Sequence, residues 1–461
     1  MSAYRLDVSL AANPAKTLSV TASRVGAGVT AGLALPLGAL AVNSPRLAFA
    51  GILALGFVAL AAYDVVAGVA AFSILALVEE VPPLAGSPAI KLAGVVLVIL
   101  LLRRHLPLLR LVRERPAMAC AAVFFATWAG ASSLWAQDPG AALVSAFRLS
   151  LNVVLLFVVY GAIRERQHVR WLTYAFVAGA VITSLVGVVG ITATSLESGR
   201  LVGGVGNPNE LATILVSALW LAGFALVSGQ PRRSQVLVGV SLVVLTSALL
   251  LTASRGGIVA LAVSIATAVI IGGAFRKQIV VVLTAVLGLG LGYYGFVASP
   301  AVTDRLVNFS AEGGSGRTDL WNVATSVITE RPFLGVGAGN FPIVEPAYAA
   351  ETINLPQVRF IVDTPKAPHN TYLGIQVELG TPGLIAFLTI VGTAIASTLR
   401  SISAALAAGD RELEFLGRGV LVALVAYLAA ATFGSFEYEK HLWLFLGLAA
   451  AMSSVVSRSR A

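Results

Sequence analysis

Four side chains stand out as able to do chemistry: Arg200, Arg255, Arg317 and His369. Each lies in a turn marked by Gly or Pro, at or next to the edge of an apolar run. An arginine presents a planar fork that pairs with phosphate oxygens and never deprotonates. Several converging arginines are what a pyrophosphate needs, with no metal. A histidine nitrogen titrates near neutrality and suits proton transfer. The set points to a pyrophosphate held beside a group that can take a proton, with arginines stabilising any charge that develops on the phosphates. Glu378 is the nearest alternative base, further along the helix that starts after His369. Asn370 is a good N-cap for that helix.

Each residue also has an ordinary reading. An arginine at a span end is commonly an interface anchor. His369-Asn370 is compatible with a simple helix cap. Gly335-Val-Gly-Ala-Gly339 looks like a phosphate loop, but no strand precedes it. His105 and His168 lie in basic loops, and His441 sits at a span entrance beside Glu439 and Lys440. Arg148 is about two turns inside a span, where a structural ion pair is the simplest role.

Composition shows what must position these groups. Apolar residues make up 57% of the chain and charged residues 11%, with mean hydropathy +0.89. A soluble domain carries about 25% charged residues, so this is an integral membrane protein. Apolar runs of about 17–25 residues recur, each long enough to span as a helix. They lack the period-two alternation of a membrane barrel. The net charge of +9 sits mostly in short loops, and no contiguous basic face suggests nucleic-acid binding. The single Cys120 excludes an intrachain disulfide and a cysteine-based zinc site. No acidic pair has obvious metal-binding spacing, so no metal or other cofactor is expected. The polar N-terminus shows no cleavable signal, and the first span can direct insertion.

The expected fold class is all-α: a polytopic membrane protein with about 12–14 transmembrane helices. A first span covers about Val25–Val42. Arg46–Val78 reads as two short spans bent around Asp64-Val65-Val66. The most basic loop, Arg103–Pro116, is placed in the cytoplasm. Alternation then puts Arg164–Arg170, Arg232-Arg233, Arg276-Lys277 and Arg400–Arg418 on the same side, with both termini. Later spans fall near Ile258–Ile271, Ile279–Val297 and Thr371–Ile395. The one long non-hydrophobic segment, about Ala298–Gly383, is therefore outside. A structureless loop of that length is improbable, so it should carry its own helices. One starts near Arg317, with an apolar face of Leu320, Ala324, Val327 and Ile328, and stops before Pro332. The expected division is 1–297 (membrane helices), 298–369 (large periplasmic segment) and 370–461 (membrane helices).

The motifs occur in a set order: Gly199-Arg200 with Gly206-Asn-Pro-Asn-Glu-Leu-Ala212, Thr252-Ala-Ser-Arg-Gly-Gly257, Gly316-Arg-Thr-Asp-Leu-Trp321, Pro332-Phe-Leu-Gly-Val-Gly337, and His369-Asn-Thr-Tyr-Leu373 with Glu378-Leu-Gly380. As a set they resemble the O-antigen ligase and polymerase superfamily. The resemblance implies a GT-C-like glycosyltransferase of the bacterial inner membrane, multi-pass, with its active site facing the periplasm. The donor would be a glycan on undecaprenyl pyrophosphate. The acceptor would be lipid A–core for a ligase, or another lipid-linked repeat for a polymerase. By resemblance His369 activates the acceptor hydroxyl, Arg255 and Arg317 hold the pyrophosphate, and Arg200 is a further contact. A lipid-linked sugar transporter is the reading from another class. Against it, the Gly/Pro signals sit at the outer boundary rather than at the midplane.

Overall fold

The computed structural model describes residues 45–81, 84–85, 89–103, 107–190, 196–197, 200–228, 231–273, 276, 288–290, 292–296, 298, 303, 317–351 and 366–459. The chain divides into two compact units, 1–56 and 57–461, and every site residue belongs to the second. The protein is an all-α polytopic membrane protein. Among the described residues, eight helices are long and apolar enough to cross a membrane. They are α5 (Pro116–Ala131, continued by a 3-10 turn to Leu134), α6 (Pro139–Ala162), α7 (Arg166–Val189), α8 (Pro208–Val227), α9 (Arg232–Thr252), α13 (Thr371–Ala408), α14 (Arg411–Ala430) and α15 (Lys440–Ser459). Shorter apolar helices are α1 (Pro45–Tyr63), α2 (Val65–Ala76), α3 (Ala89–Arg103) and α10 (Arg255–Ile271). The break between α1 and α2 falls at Asp64, whose carboxylate caps α2 by accepting from Val66 N at 2.7 Å. The expected span at 25–42, and most of that at 279–297, lie outside the described residues.

Ion pairs mark one end of the helix bundle. Arg166 meets Asp410 at 2.7 Å, Arg170 meets Glu412 at 3.2 Å, and Arg458 lies 3.8 Å from Glu114. The start of α7 thus meets the start of α14, and the short stretch ending at Glu114 meets the end of α15. The Arg103–Pro116 stretch is not a plain loop, however. It folds into a short helix, α4 (Pro107–Glu114). There Arg110 turns inward, 6% exposed, and lies over the Tyr160 ring at 5.0 Å. It pairs with Glu114 at 2.9 Å and donates to the Ile163 carbonyl at 3.1 Å. A delocalised guanidinium tolerates this because its Nε meets the Glu114 carboxylate, its Nη1 meets carbonyls and its face lies on an aromatic ring.

At the other end, α13 is broken. Gly380 has φ 65° and ψ −172°, a conformation open to glycine alone, and Pro382 follows it. The break frees three carbonyls of the preceding turn from their helical partners. Each finds another donor. Val336 N donates to Val377 O at 2.9 Å, Gly337 N to Glu378 O at 2.9 Å, and the Trp128 indole to Leu379 O at 2.8 Å. An unmet buried backbone group costs about 1–3 kcal/mol, and more in lipid, so the three replacements are what let the break exist. Thr381 N then donates to Pro332 O at 2.9 Å.

The donors at 336–337 belong to the long segment, which carries α11 (Arg317–Glu330) and α12 (Phe341–Glu351). Helix α11 buries Leu320, Val323, Ala324 and Val327, with Ile328 partly covered, and it ends before Pro332 as expected. These side chains join Val336, Phe341, Val344 and Val377 in a small core of their own. The other expected difference lies past the break. Helix α13 runs on to Ala408, well beyond Ile395, and stops where Gly409 takes a left-handed φ of 68°.

Two tests follow. In a Cys120→Ser background, Thr325→Cys on α11 should react with a membrane-impermeant thiol reagent in intact cells, and Arg113→Cys on α4 should not. Both positions are exposed. The reverse pattern would invert the topology. Gly380→Ala should lower stability by at least about 1–3 kcal/mol, because a Cβ there meets both a forbidden φ and the Phe333 carbonyl. An unchanged unfolding midpoint in detergent would mean the break relaxes freely.

Candidate active site

The first wall of the site is the turn between α9 and α10. The chain leaves α9 through Ala253, at a left-handed φ of 44°. Ser254 then caps α10, its hydroxyl accepting from Gly257 N at 3.2 Å. Arg255 is thereby the first helical residue, at the positive end of the helix dipole. Asn209 locks the turn from the side. Its side-chain oxygen accepts from the Ser254 hydroxyl at 2.9 Å and from Arg200 Nη2 at 3.0 Å. Arg200 is 5% exposed, and its Nε donates to the Thr252 carbonyl at 2.8 Å. Two of its donors are thus spent on the Arg255 turn. Packing demands glycine at 257 and leaves little room at 256. A Cβ at 257 would lie 2.7 Å from Ala212 Cβ, and one at 256 would lie 3.3 Å from Phe433 Cβ.

Phe433 carries the contact to the second wall. Its ring lies 6.2 Å from that of Trp321, one turn beyond Arg317 on α11. The Trp321 indole donates to the Pro368 carbonyl at 2.9 Å. Gly256, Phe433, Trp321 and Pro368 therefore form one chain of contacts. It brings the turns bearing Arg255, Arg317 and His369 together.

His369 is held by its backbone. It takes a left-handed φ of 51° and, with Ala253, is one of two such non-glycine residues among the described residues. Strain of this kind persists only where the surroundings over-determine it. Asn370 caps α13, accepting from Tyr372 N at 3.0 Å and Leu373 N at 3.1 Å. Thr371 N donates to the Ala431 carbonyl at 2.8 Å, and its hydroxyl donates to Gly434 O at 2.9 Å. Burial pushes the His369 pKa below the ordinary histidine value, and the positive charges of Arg317 and Lys366 push it the same way. Both effects favour the neutral imidazole, the form that accepts a proton.

Other sequence candidates fall elsewhere. The 335–339 loop is no phosphate cradle, because its N–H groups are already spent. Gly335 N donates to Arg331 O, Val336 and Gly337 to α13, Ala338 N to the Ser132 hydroxyl, and Gly339 N to Glu378 Oε2 at 2.8 Å. The same Glu378 oxygen accepts from the Tyr438 hydroxyl at 3.0 Å. Glu378 thus anchors the loop to the broken helix. A cavity of about 370 Å³ lies apart, lined by Lys91, Arg148, Glu210 and Lys440 among others; His369, Arg255 and Arg317 do not line it.

Sequence reasoning missed Asn209, Trp321 and Phe433 as positioning residues. The first two stand inside motifs that were read only for their charged members. Phe433 carried no local signal. It missed Glu437 as well, a buried carboxyl beside Gly374 that burial and then Glu378 raise to about 8.

An imidazole titration checks the electrostatics directly. With ¹³C-histidine labelling, the resonance lost in His369→Gln should titrate below pH 6.5. In Arg317→Gln it should move up, because a nearby positive charge has gone. A midpoint at or above 6.5, unmoved by Arg317→Gln, would separate the two residues.

No curated protein matches the chain. One family model does, described as O-antigen ligase, over residues 240–388. That span contains Arg255, Arg317, His369, Asn370 and Glu378, but not Arg200. The match supports a function of the O-antigen ligase or polymerase type in general. The resemblance of this membrane-embedded chain to the O-antigen ligase superfamily therefore holds across the segment that carries Arg255, Arg317 and His369.

Proposed function

We propose that the protein is an O-antigen ligase-type glycosyltransferase at the periplasmic face of a bacterial inner membrane. It moves a glycan from undecaprenyl pyrophosphate to lipid A–core. The observation that carries this reading is the convergence of the Arg255 turn, the Arg317 helix and the His369 cap, within the segment matched by the family model.

In the proposed reaction the neutral imidazole of His369 takes the proton of the acceptor hydroxyl. The hydroxyl oxygen attacks the anomeric carbon as the bond to the pyrophosphate oxygen breaks. The anomeric centre inverts. Arg255 and Arg317 hold the departing diphosphate, each fork supplying charge-assisted hydrogen bonds that strengthen as negative charge builds. The helix dipole behind Arg255 acts in the same sense. Arg200 works chiefly through Asn209 and Thr252, by fixing where Arg255 points; a direct phosphate contact would fall to its remaining N–H groups. Asn370 and Glu378 support the turn and the broken helix. The transfer itself calls for no metal, since arginine forks carry the leaving-group charge. On this reading the matched segment serves the donor, a task that a polymerase of lipid-linked repeats would share. Supplying either acceptor to the purified protein separates ligation from polymerisation.

Removing the base should affect the transition state more than binding. His369→Gln should lower kcat by about 10²–10⁴-fold. Donor affinity should stay within a few-fold of wild type, because Arg255 and Arg317 remain. Arg255→Lys and Arg317→Lys should instead weaken donor binding and turnover together, since the charge survives without the fork. Near-normal turnover of His369→Gln would remove the base from this position.

A further inference from the structure

Glu210, Glu439 and His441 come from opposite halves of the sequence, and none has a part in the proposed transfer. Glu210 lies in the first turn of α8, and Glu439 and His441 flank the start of α15. One carboxylate oxygen from each acid and one ring nitrogen of His441 all lie within 4.8 Å of one another. The second observation is His441 itself. It is 2% exposed, and among the described residues neither ring nitrogen has a hydrogen-bond partner. The Ala76 carbonyl lies nearby but outside hydrogen-bond geometry. His441 Nδ1 instead faces Glu210 Oε1 at 3.9 Å. A buried imidazole with both nitrogens unmet is costly, and such a group calls for an explanation.

Charge balance gives one. The charged groups acting on Glu210 are Glu439, Lys440 and Glu79. Lys440 is already paired with Glu79 at 2.5 Å. Among the described residues, that leaves the two carboxylates facing each other with only Lys440, shared with Glu79, to offset them. A divalent ion would neutralise the set, whereas without one the two carboxyls must share a proton.

We infer that Glu210, Glu439 and His441 form a divalent-cation site, best suited to zinc. Two carboxylate oxygens and one imidazole nitrogen match a borderline ion better than Mg²⁺ or Ca²⁺, which favour oxygen throughout. Bonds of about 2.0–2.1 Å would draw the three donors together, leaving a fourth position for water. The cavity of about 370 Å³ is lined by Glu210 and Glu439 and offers a route in. The ion would act as a clamp rather than in the transfer. Glu210 adjoins Asn209, which fixes the Arg255 turn. The loop leading to Glu439 carries Phe433 and Gly434, which fix Trp321 and Thr371. The ion would thus tie the two walls of the site together.

The test needs no activity measurement. Detergent-purified protein is stripped with chelator, dialysed against micromolar Zn²⁺ and analysed for bound metal and thermal midpoint, with Mn²⁺ in a parallel arm. About one zinc per chain is expected, with a raised midpoint. His441→Ala and the near-isosteric Glu439→Gln should each weaken uptake at least about tenfold, the loss that follows when even a supporting partner of a ligand is removed. No stoichiometric uptake by wild type, or equal uptake by both variants, would overturn the site and leave the carboxyls sharing a proton.

Discussion

A broken membrane helix cannot leave carbonyls bare, and that constraint organises this molecule. Helix α13 stops at Gly380 and restarts at once. The carbonyls of 377, 378 and 379 must find donors inside the protein. Two come from the 336–337 backbone and one from Trp128. Satisfying them pulls the long segment between α10 and α13 onto the N-terminal turns of α13. Those turns begin with His369 and its Asn370 cap. The histidine is therefore set by a hydrogen-bond account closed two to three turns away.

The arginines obey a related logic. Arg255 is placed by a helix start that Ser254 caps and Asn209 braces. Arg317 lies one turn before Trp321, whose indole holds the Pro368 carbonyl. Each functional side chain is thus attached to a backbone turn whose polar groups are already satisfied. Such turns move little, and a preformed array of donors costs little reorganisation when charge appears. The two left-handed non-glycine residues, Ala253 and His369, sit in these turns. That is where stored strain is best explained by function.

Much of this was legible in the sequence. Apolar runs give the membrane helices that the structure describes. The face of α11 follows from spacing, and its end follows from Pro332. Asn370 reads as a cap because capping is local chemistry. What could not be read depends on partners far away in the chain. Gly335–Gly339 looks like a phosphate loop until its N–H groups are seen donating to Glu378 and Ser132. Glu378 looks like a spare base until it is seen anchoring that loop. Arg110 reads as a solvated loop charge, yet it lies over Tyr160. The Glu210–Glu439–His441 cluster joins helices more than two hundred positions apart, beyond any spacing rule.

The central claim is that an arginine-held diphosphate leaves as a hydroxyl attacks the anomeric carbon. The most direct measurement is the identity of the lipid product. Purified protein would be given a glycan-linked undecaprenyl pyrophosphate and an acceptor, and the released lipid analysed by mass spectrometry. Release of undecaprenyl pyrophosphate, in step with inverted glycan on the acceptor, is the result this account predicts. Release of undecaprenyl monophosphate, with a sugar phosphate transferred, would place bond cleavage at phosphorus and contradict it.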